Sequence, residues 1–359
     1  MTNSNYFEAP RVGRLPFGKR NSISDVQGVT VGHATLCDGN IQTGVTVIRP
    51  HDDDLFLQKT PAAACIINGF GKSIGLIQVH ELGVVETPIA LTNTFSVGQI
   101  ATAQLRQAIA QHPQIGREWP TVNPLVLECN DGYLNDIQAF SVNEAHYHEA
   151  CQHTTPDFQQ GAVGAGRGMS SFHLKGGIGS ASRIAACTDG QYTVGALVLA
   201  NFGRLTNLTV AGQSLGAELA AKLFSNAPED LLEQDKGSII ILLATDAPLD
   251  TRQLGRVSKR AAAGLARTGS VYGHGSGDIA LAFSNAYRIP ALASQPMPTL
   301  AMLHETELDA LFEATAEATE QAIVNALWSA ATVTGRDGHR RRAITELLPN
   351  WREHLAVKP

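Results

Sequence analysis

Short apolar runs broken by Gly, Asn and Pro fill the first half of the chain, a pattern that predicts strands. They fall at 28–36 (GVTVGHATL), 43–50 (TGVTVIRP), 62–71 (AAACIINGFG) and 87–94 (TPIALTNT), and at 123–137, where a strand runs into a polar turn. Between them, 96–112 brings Ile100, Leu105 and Ile109 near one face at helical spacing. In the second half, 194–203 and 237–248 are so continuously apolar that both faces must be buried. A helix ending on a Gly stop is expected at 249–269, and Ile279 to Phe283 reads as a further buried strand. The segment 307–332 predicts a long amphipathic helix with Leu308, Leu311, Thr315, Thr319, Ala322 and Ile323 on one stripe. On that helix Glu320 flanks the stripe and Glu317 falls on the opposite, solvated side. The strands cluster instead of alternating strictly with helices, which favours α+β or layered packing over a doubly wound sheet. Without a repeat or a clear linker, residues 1–359 read as a single domain.

Composition narrows the picture. The 359 residues are 43% hydrophobic and 17% charged, as in ordinary globular protein, and the net charge of −6 argues against a nucleic-acid binder. The one dense basic cluster, Arg340-Arg341-Arg342, reads as a solvated turn. Cys37, Cys65, Cys129, Cys151 and Cys187 form no CxxC pair, so they read as reduced core thiols, with neither a disulfide framework nor a zinc knuckle. The first twenty residues lack the apolar stretch of a signal peptide, and no run has the length of a membrane span. The expectation is a cytoplasmic protein with no membrane or nucleic-acid partner.

Several motifs compete for the chemistry. GFGKS (69–73) ends like a phosphate loop, but Ile66 stands where that loop needs its first glycine. GAVGAGRGM (161–169) is glycine-dense without being GxGxxG. Gly212-Gln213-Ser214-Leu215-Gly216 fits GxSxG, and Asp246 and His274 follow in the order of an α/β-hydrolase triad. The strand before it, Leu208–Ala211, is short for such an elbow.

GHGSGDIALAF (273–283) is the most informative stretch. Its bland readings are a glycine-rich turn in which His274 and Asp278 bond to backbone, or a metal site at those two residues with no further ligand cluster nearby. A third reading starts from Ser276 lying at the seam between turn and strand. If the Gly275–Ser276 bond is cut, the new α-amine, with a pKa near ~7.7–8, lies within reach of the serine's own Oγ and can act as its base. Gly275 would tolerate a strained backbone during attack on its carbonyl, and Gly277 would let a substrate approach closely. This reading accounts for all three positions.

In these residues the chain resembles the P1 family of self-cleaving serine aminopeptidases, peptidase family S58. That family includes L-aminopeptidase/D-esterase/D-amidases and β-peptidyl aminopeptidases. The resemblance runs from NSISDVQGVTVGHATL (21–36) to GRDGH (335–339), through LTNTFSVG, ECNDGYLND, GAGRGM, LKGGIGSASR, VGALVLANFG, IILLATDAPL, GLARTGSVYGHGSGDIALAFS and ATEQAIVNAL. It implies a four-layer αββα sandwich, like N-terminal-nucleophile hydrolases in its layers but differently connected. It also implies cleavage into chains 1–275 and 276–359 that stay associated as a homo-oligomer of processed pairs, with no metal or organic cofactor.

Carried over, Ser276 is the nucleophile and Gly275–Ser276 the scissile bond, preferred to Gly269-Ser270 because Ser276 abuts the strand. Asn201, in ANFG, reads either as an oxyanion donor or as a turn asparagine. Glu128, Asn130 and Tyr133 cluster in ECNDGYLND, where Glu128 suits the substrate's ammonium and Tyr133 a donor role, while Asp131 is a turn residue. Glu320 belongs to a hydroxyl-x-Glu pair that orients the nucleophile. Ala318 stands where its hydroxyl is expected, so Thr315 or Thr319 would have to substitute. The function implied is removal of N-terminal residues from short peptides, amides or esters through an acyl-enzyme on Ser276. The rivals are acyl transfer of the ornithine acetyltransferase type, which uses a threonine nucleophile, the Ser214/Asp246/His274 esterase, and an uncut non-catalytic scaffold.

Overall fold

A computed structural model describes residues 8–224 and 237–355. The leader reading begins at Met1, so residues 1–7 of it lie outside the described ones. Elements of five or more residues are numbered here. The strands are β1 (Thr30–Asp38), β2 (Ile41–Arg49), β3 (Gln58–Gly69), β4 (Ile89–Asn93), β5 (Leu125–Cys129), β6 (Gly177–Cys187), β7 (Gly190–Asn201), β8 (Ser238–Thr245) and β9 (Gly277–Ser284). The helices are α1 (Leu76–Leu82), α2 (Val97–Gln111), α3 (Glu144–Gln152), α4 (Gly216–Leu223), α5 (Thr251–Arg267) and α6 (Leu308–Trp328).

The strands form two sheets. The smaller has the order β1-β2-β4-β5, and the larger runs β3-β9-β8-β7-β6, with short strands added beside β3. The period-2 alternation of side chains builds the layers. On β8, Ile239, Ile241 and Leu243 face α5 and α6, with Ala280 and Ala282 of β9. Ile240, Leu242, Ile279, Leu281 and Phe283 face the other way, onto Ile48, Leu91 and Leu127 of the small sheet. The far side of the small sheet, through Val45, Val47 and Val126, packs on Ile100 of α2 and Tyr147 of α3. The result is the expected α+β sandwich with layers αββα.

The apolar strands and the three long helices lie where their patterns put them. A capping box starts α5, Asp250 accepting from the Gln253 N–H at 2.6 Å. Strand β6 (GIGSASRIAAC) was not legible as one, because small residues line it. They are small because α6 lies directly on it: a Cβ on Gly179 would sit 2.0 Å from the Ala322 carbonyl.

Two expectations are corrected. Glu317 is not solvated but buried (4% exposed), ion-paired with Arg183 at 3.2 Å and accepting the Arg14 and Leu15 N–H groups. The N-terminal segment covers the side of α6 that a helical wheel assigns to water. The Arg340–Arg342 run is not a free turn, since Arg340–Arg341 pairs with Val333–Thr334 and the Arg341 guanidinium sits 3.6 Å from the Tyr133 ring.

Candidate active site

Ser276 sits where β9 begins, 1% exposed, at the end of a tight turn in which its N–H donates to Gly273 O at 2.9 Å. Its Oγ donates to Asp278 Oδ1 at 2.5 Å, and Asp278 is fully buried. Residues two apart on a strand share a face. Asp278 therefore shares the face of Ala280 and Ala282, toward α5 and α6, and the Ser276 hydroxyl bonded to it lies on that side.

The neighbouring strand completes the turn. The Asn68 side-chain amide, at the end of β3, donates to Ser276 O, to Gly273 O at 3.0 Å and to His274 O at 3.4 Å. The Phe70 N–H also donates to Ser276 O, at 3.2 Å. One amide thus ties together carbonyls on both sides of the Gly275–Ser276 bond. Asn68 was missed from sequence, because only the β3–β9 pairing brings it there.

A Cβ on Gly277 would fall 2.7 Å from Phe70 O and 3.2 Å from Ser238 Oγ, so the close approach of the neighbouring chain by itself calls for glycine there. In the loop before it, Gly269 (φ 98°) and Tyr272 (φ 54°) take left-handed backbone conformations.

Asn201, Ser238, Gly277 and Gly69 are successive partners across four adjacent strands. Asn201 therefore lies two strand spacings, about 10 Å, from the head of β9. Its Oδ1 accepts the Ser170 N–H at 2.8 Å, and its Nδ2 donates to Asn130 O at 3.0 Å. The Asn130 side chain accepts the Gly132 N–H at 2.9 Å and closes its own turn.

Glu128, 3% exposed on β5, accepts the Lys72 N–H at 2.8 Å and the Thr94 hydroxyl. A Cβ on Gly71 would lie 3.5 Å from Ile279 and 3.6 Å from Glu128 Oε1. The segment 70–72 is thus shared between Ser276 at one end and Glu128 at the other. Tyr133 is half-exposed, its ring stacked on His339 at 4.7 Å and carrying Arg341.

Glu320 meets Arg267 at 3.5 Å, in a cavity of about 620 Å³ that Arg11 and Gly13 also line and Ser276 does not. Burial pushes its carboxyl above the usual range, and Arg267 partly offsets that. Neither candidate relay hydroxyl is engaged with Ser276. Thr315 donates to Leu311 O at 2.7 Å, while Thr319, without a hydrogen-bond partner, packs where α5 passes at Gly264.

The Ser214 triad does not assemble. Ser214 is exposed, and Asp246 accepts the Thr193 N–H just beyond the end of β8, whereas His274 stands before the start of β9. Because β8 and β9 run parallel from Ser238↔Gly277 to Thr245↔Ser284, Asp246 and His274 are about 25 Å apart along the strands.

The model of peptidase family S58 matches residues 21–341. The chain is 37% identical over 384 residues to the beta-peptidyl aminopeptidase BapA of Sphingosinicella microcystinivorans, covering 98% of this chain and 95% of that one. It superposes with a TM-score of 0.88 on a protein from Pyrococcus horikoshii OT3, at 48% identity over 96% of this chain and 97% of the other. The L-aminopeptidase D-Ala-esterase/amidase of Ochrobactrum anthropi, described as a variant of the Ntn hydrolase fold, gives 0.85 at 32% identity, covering 96% and 97%.

Proposed function

This chain belongs to peptidase family S58, and on that premise we propose that the intact chain is a precursor that cuts its own Gly275–Ser276 bond. The enzyme is a serine aminopeptidase of the amidase and esterase type; acyl transfer is not favoured. Cleavage leaves residues 1–275 and 276–359 held in one sandwich, because β9 lies between β3 and β8 in the large sheet. Ser276 then attacks the substrate carbonyl with its own α-amine as base. The observation that carries this reading is the buried hydroxyl at the first turn of β9, bonded to a buried carboxylate.

The remaining roles belong to the same proposal. Scission cuts the covalent link to Gly275 while Asn68 and the Phe70 N–H still hold the Ser276 carbonyl, so the serine becomes a strand end whose amine and side chain can turn toward the row that runs through Gly277 to Asn201. There the Asn201 amide serves the oxyanion and Tyr133 donates to the intermediate. Glu128, with Asn130 beside it, anchors the substrate's ammonium, and Glu320 acts on the nucleophile from the helix side. The substrates are short peptides, amides or esters with a free amine. A cytoplasmic location and an oligomer of processed pairs complete the reading.

A denaturing gel with N-terminal sequencing tests it. The expected fragment begins Ser276-Gly277-Asp278. Ser276→Ala should remain one chain without turnover, and Ser214→Ala should cut and work normally. A single uncut chain with full esterase activity would overturn the proposal.

A further inference from the structure

Self-cleavage poses a proton problem that turnover does not. In the processed enzyme the α-amine can take the Oγ proton, but in the intact chain that nitrogen is an amide donating to Gly273 O. An amide nitrogen has no basicity for this step, so another group must accept the proton. The side chain in contact with Oγ is Asp278, with Oδ1 at 2.5 Å. We propose that Asp278 is the general base of self-cleavage, a catalytic residue that acts before the α-amine exists. The assignment rests on the reading of Gly275–Ser276 as the scissile bond.

The geometry suits the task. The two oxygens are in direct hydrogen-bond contact, within proton-transfer reach. Asp278 is paired on both sides within the sheet, opposite Ile239 of β8 and Asn68 of β3, so its reach to Oγ is set by the strand. It is fully buried, which keeps bulk water from competing for the hydroxyl. Asn68, bonded to carbonyls on both sides of the scissile bond, is the matching positioning residue.

The step balances. Oγ bonds to the Gly275 carbonyl carbon as its proton passes to the Asp278 carboxylate. The carbon–nitrogen bond then breaks, its electron pair stays on the Ser276 nitrogen, and Asp278 returns the proton there. The products are an ester between Gly275 and Oγ, a free α-amine and a regenerated carboxylate. One water then hydrolyses the ester, with the amine as base, leaving a Gly275 carboxylate and the Ser276 hydroxyl. Tyr272 and Cys129 are titratable side chains close enough for Asp278 to act on their protonation. Both are pushed up from their ordinary values, chiefly by burial, so neither changes charge in the acid range. His274, within the turn, needs its own control.

The test follows precursor cleavage itself. Full chain from pulse-labelled cell-free translation is moved into buffers from about pH 5 to 8, and the 276–359 fragment is followed on denaturing gels. Wild type should cleave faster as pH rises through a carboxylate titration and then level off. Asp278→Asn keeps the size and an acceptor oxygen without the basicity, and should cleave at least ~100-fold slower with no such rise. His274→Gln should keep the wild-type profile. The uncuttable Ser276→Ala supplies the melting midpoint against which folding of Asp278→Asn is judged. Asp278→Glu should recover cleavage with an acid-side inflection of its own, which decides the matter if Asp278→Asn fails to fold. Asp278→Asn cleaving within a few-fold of wild type, or a folded Asp278→Glu as slow and flat as Asp278→Asn, overturns the assignment and leaves self-cleavage standing. A wild type that never cuts overturns both readings.

Discussion

Two buried polar clusters in this molecule are built on opposite terms. Around α6, charge is matched by charge: Glu317 meets Arg183, and the guanidinium also donates to Val12 O at 2.6 Å and Ser182 O at 2.7 Å. The Arg14 and Leu15 N–H groups, each 3.0 Å from Glu317, finish the clamp and strap residues 12–15 to the helix. At the head of β9, by contrast, the Asp278 carboxyl is bonded to the Ser276 hydroxyl, the nucleophile proposed above, and one asparagine serves three carbonyls. The clamp saturates its groups and holds the fold. The turn, on the proposal above, holds the scissile bond and the groups that act on it.

The sharpest way to break this contrast is Glu317→Gln. Removing one partner of a buried pair leaves the Arg183 charge uncompensated, and a loss of about 3–5 kcal/mol is expected in denaturant midpoint measurements. Molecules that still fold should cleave at Ser276 as before, because the clamp touches none of the reacting atoms.

Asp131 sharpens the contrast from the other side, as a buried carboxylate without a clamp. Its Oδ1 accepts from Asn135 at 3.1 Å, its Oδ2 has no hydrogen-bond partner, and burial pushes its pKa to about 7. The folded state therefore holds a proton that the unfolded chain releases near pH 3.8. Stability from this group is full below that value and is lost as pH rises toward 7, by up to about 4 kcal/mol. Asp131→Asn should remove this slope, so its melting midpoint relative to wild type should rise between about pH 5 and pH 8. A parallel pair of pH profiles would contradict the assignment.

Much of this architecture was legible because β-rich apolar runs and helical stripes report burial directly. The seam at Ser276 was legible too, since the apolar run from Ile279 to Phe283 marks the strand that begins at Gly277. Asn68 was not, because it acts on Ser276 from 208 residues away through strand pairing. Glu317 was misread for a related reason: a helical wheel allots one face to solvent and cannot show that residues 10–15 cover it. The contact of Gly277 with the Phe70 backbone was not legible either, since it too comes from the β3–β9 pairing. Asn68→Ala tests the pairing that sequence could not reveal. It removes one of the two donors from each of the Gly273 and Ser276 carbonyls, which keep the Ser276 and Phe70 N–H groups, so about 0.5–1.5 kcal/mol of stability should go, with cleavage slowed in the molecules that fold.

The smallest expected effect separates Glu320 from Glu317, three residues before it on the same helix. Glu320 is nearly as buried, yet its ion pair is one long contact to Arg267, whose side chain is 49% exposed. Solvent screens such a pair, and its net worth lies under about 1 kcal/mol. Burial raises its folded pKa above the unfolded value, so native protein binds the proton more tightly and stability falls as pH rises through that range. Glu320→Gln removes the charge that burial disfavours and, with it, the Arg267 contact that offsets the burial. The two changes nearly cancel near neutral pH, and the wild-type fall on raising pH should flatten in the variant. Thermal melts of both proteins across the acid range check this. If Glu320→Gln instead cost several kcal/mol at neutral pH, the carboxylate would belong with the clamp. If the melts match while kcat falls at unchanged KM, it acts on the chemistry of Ser276 and not on the fold.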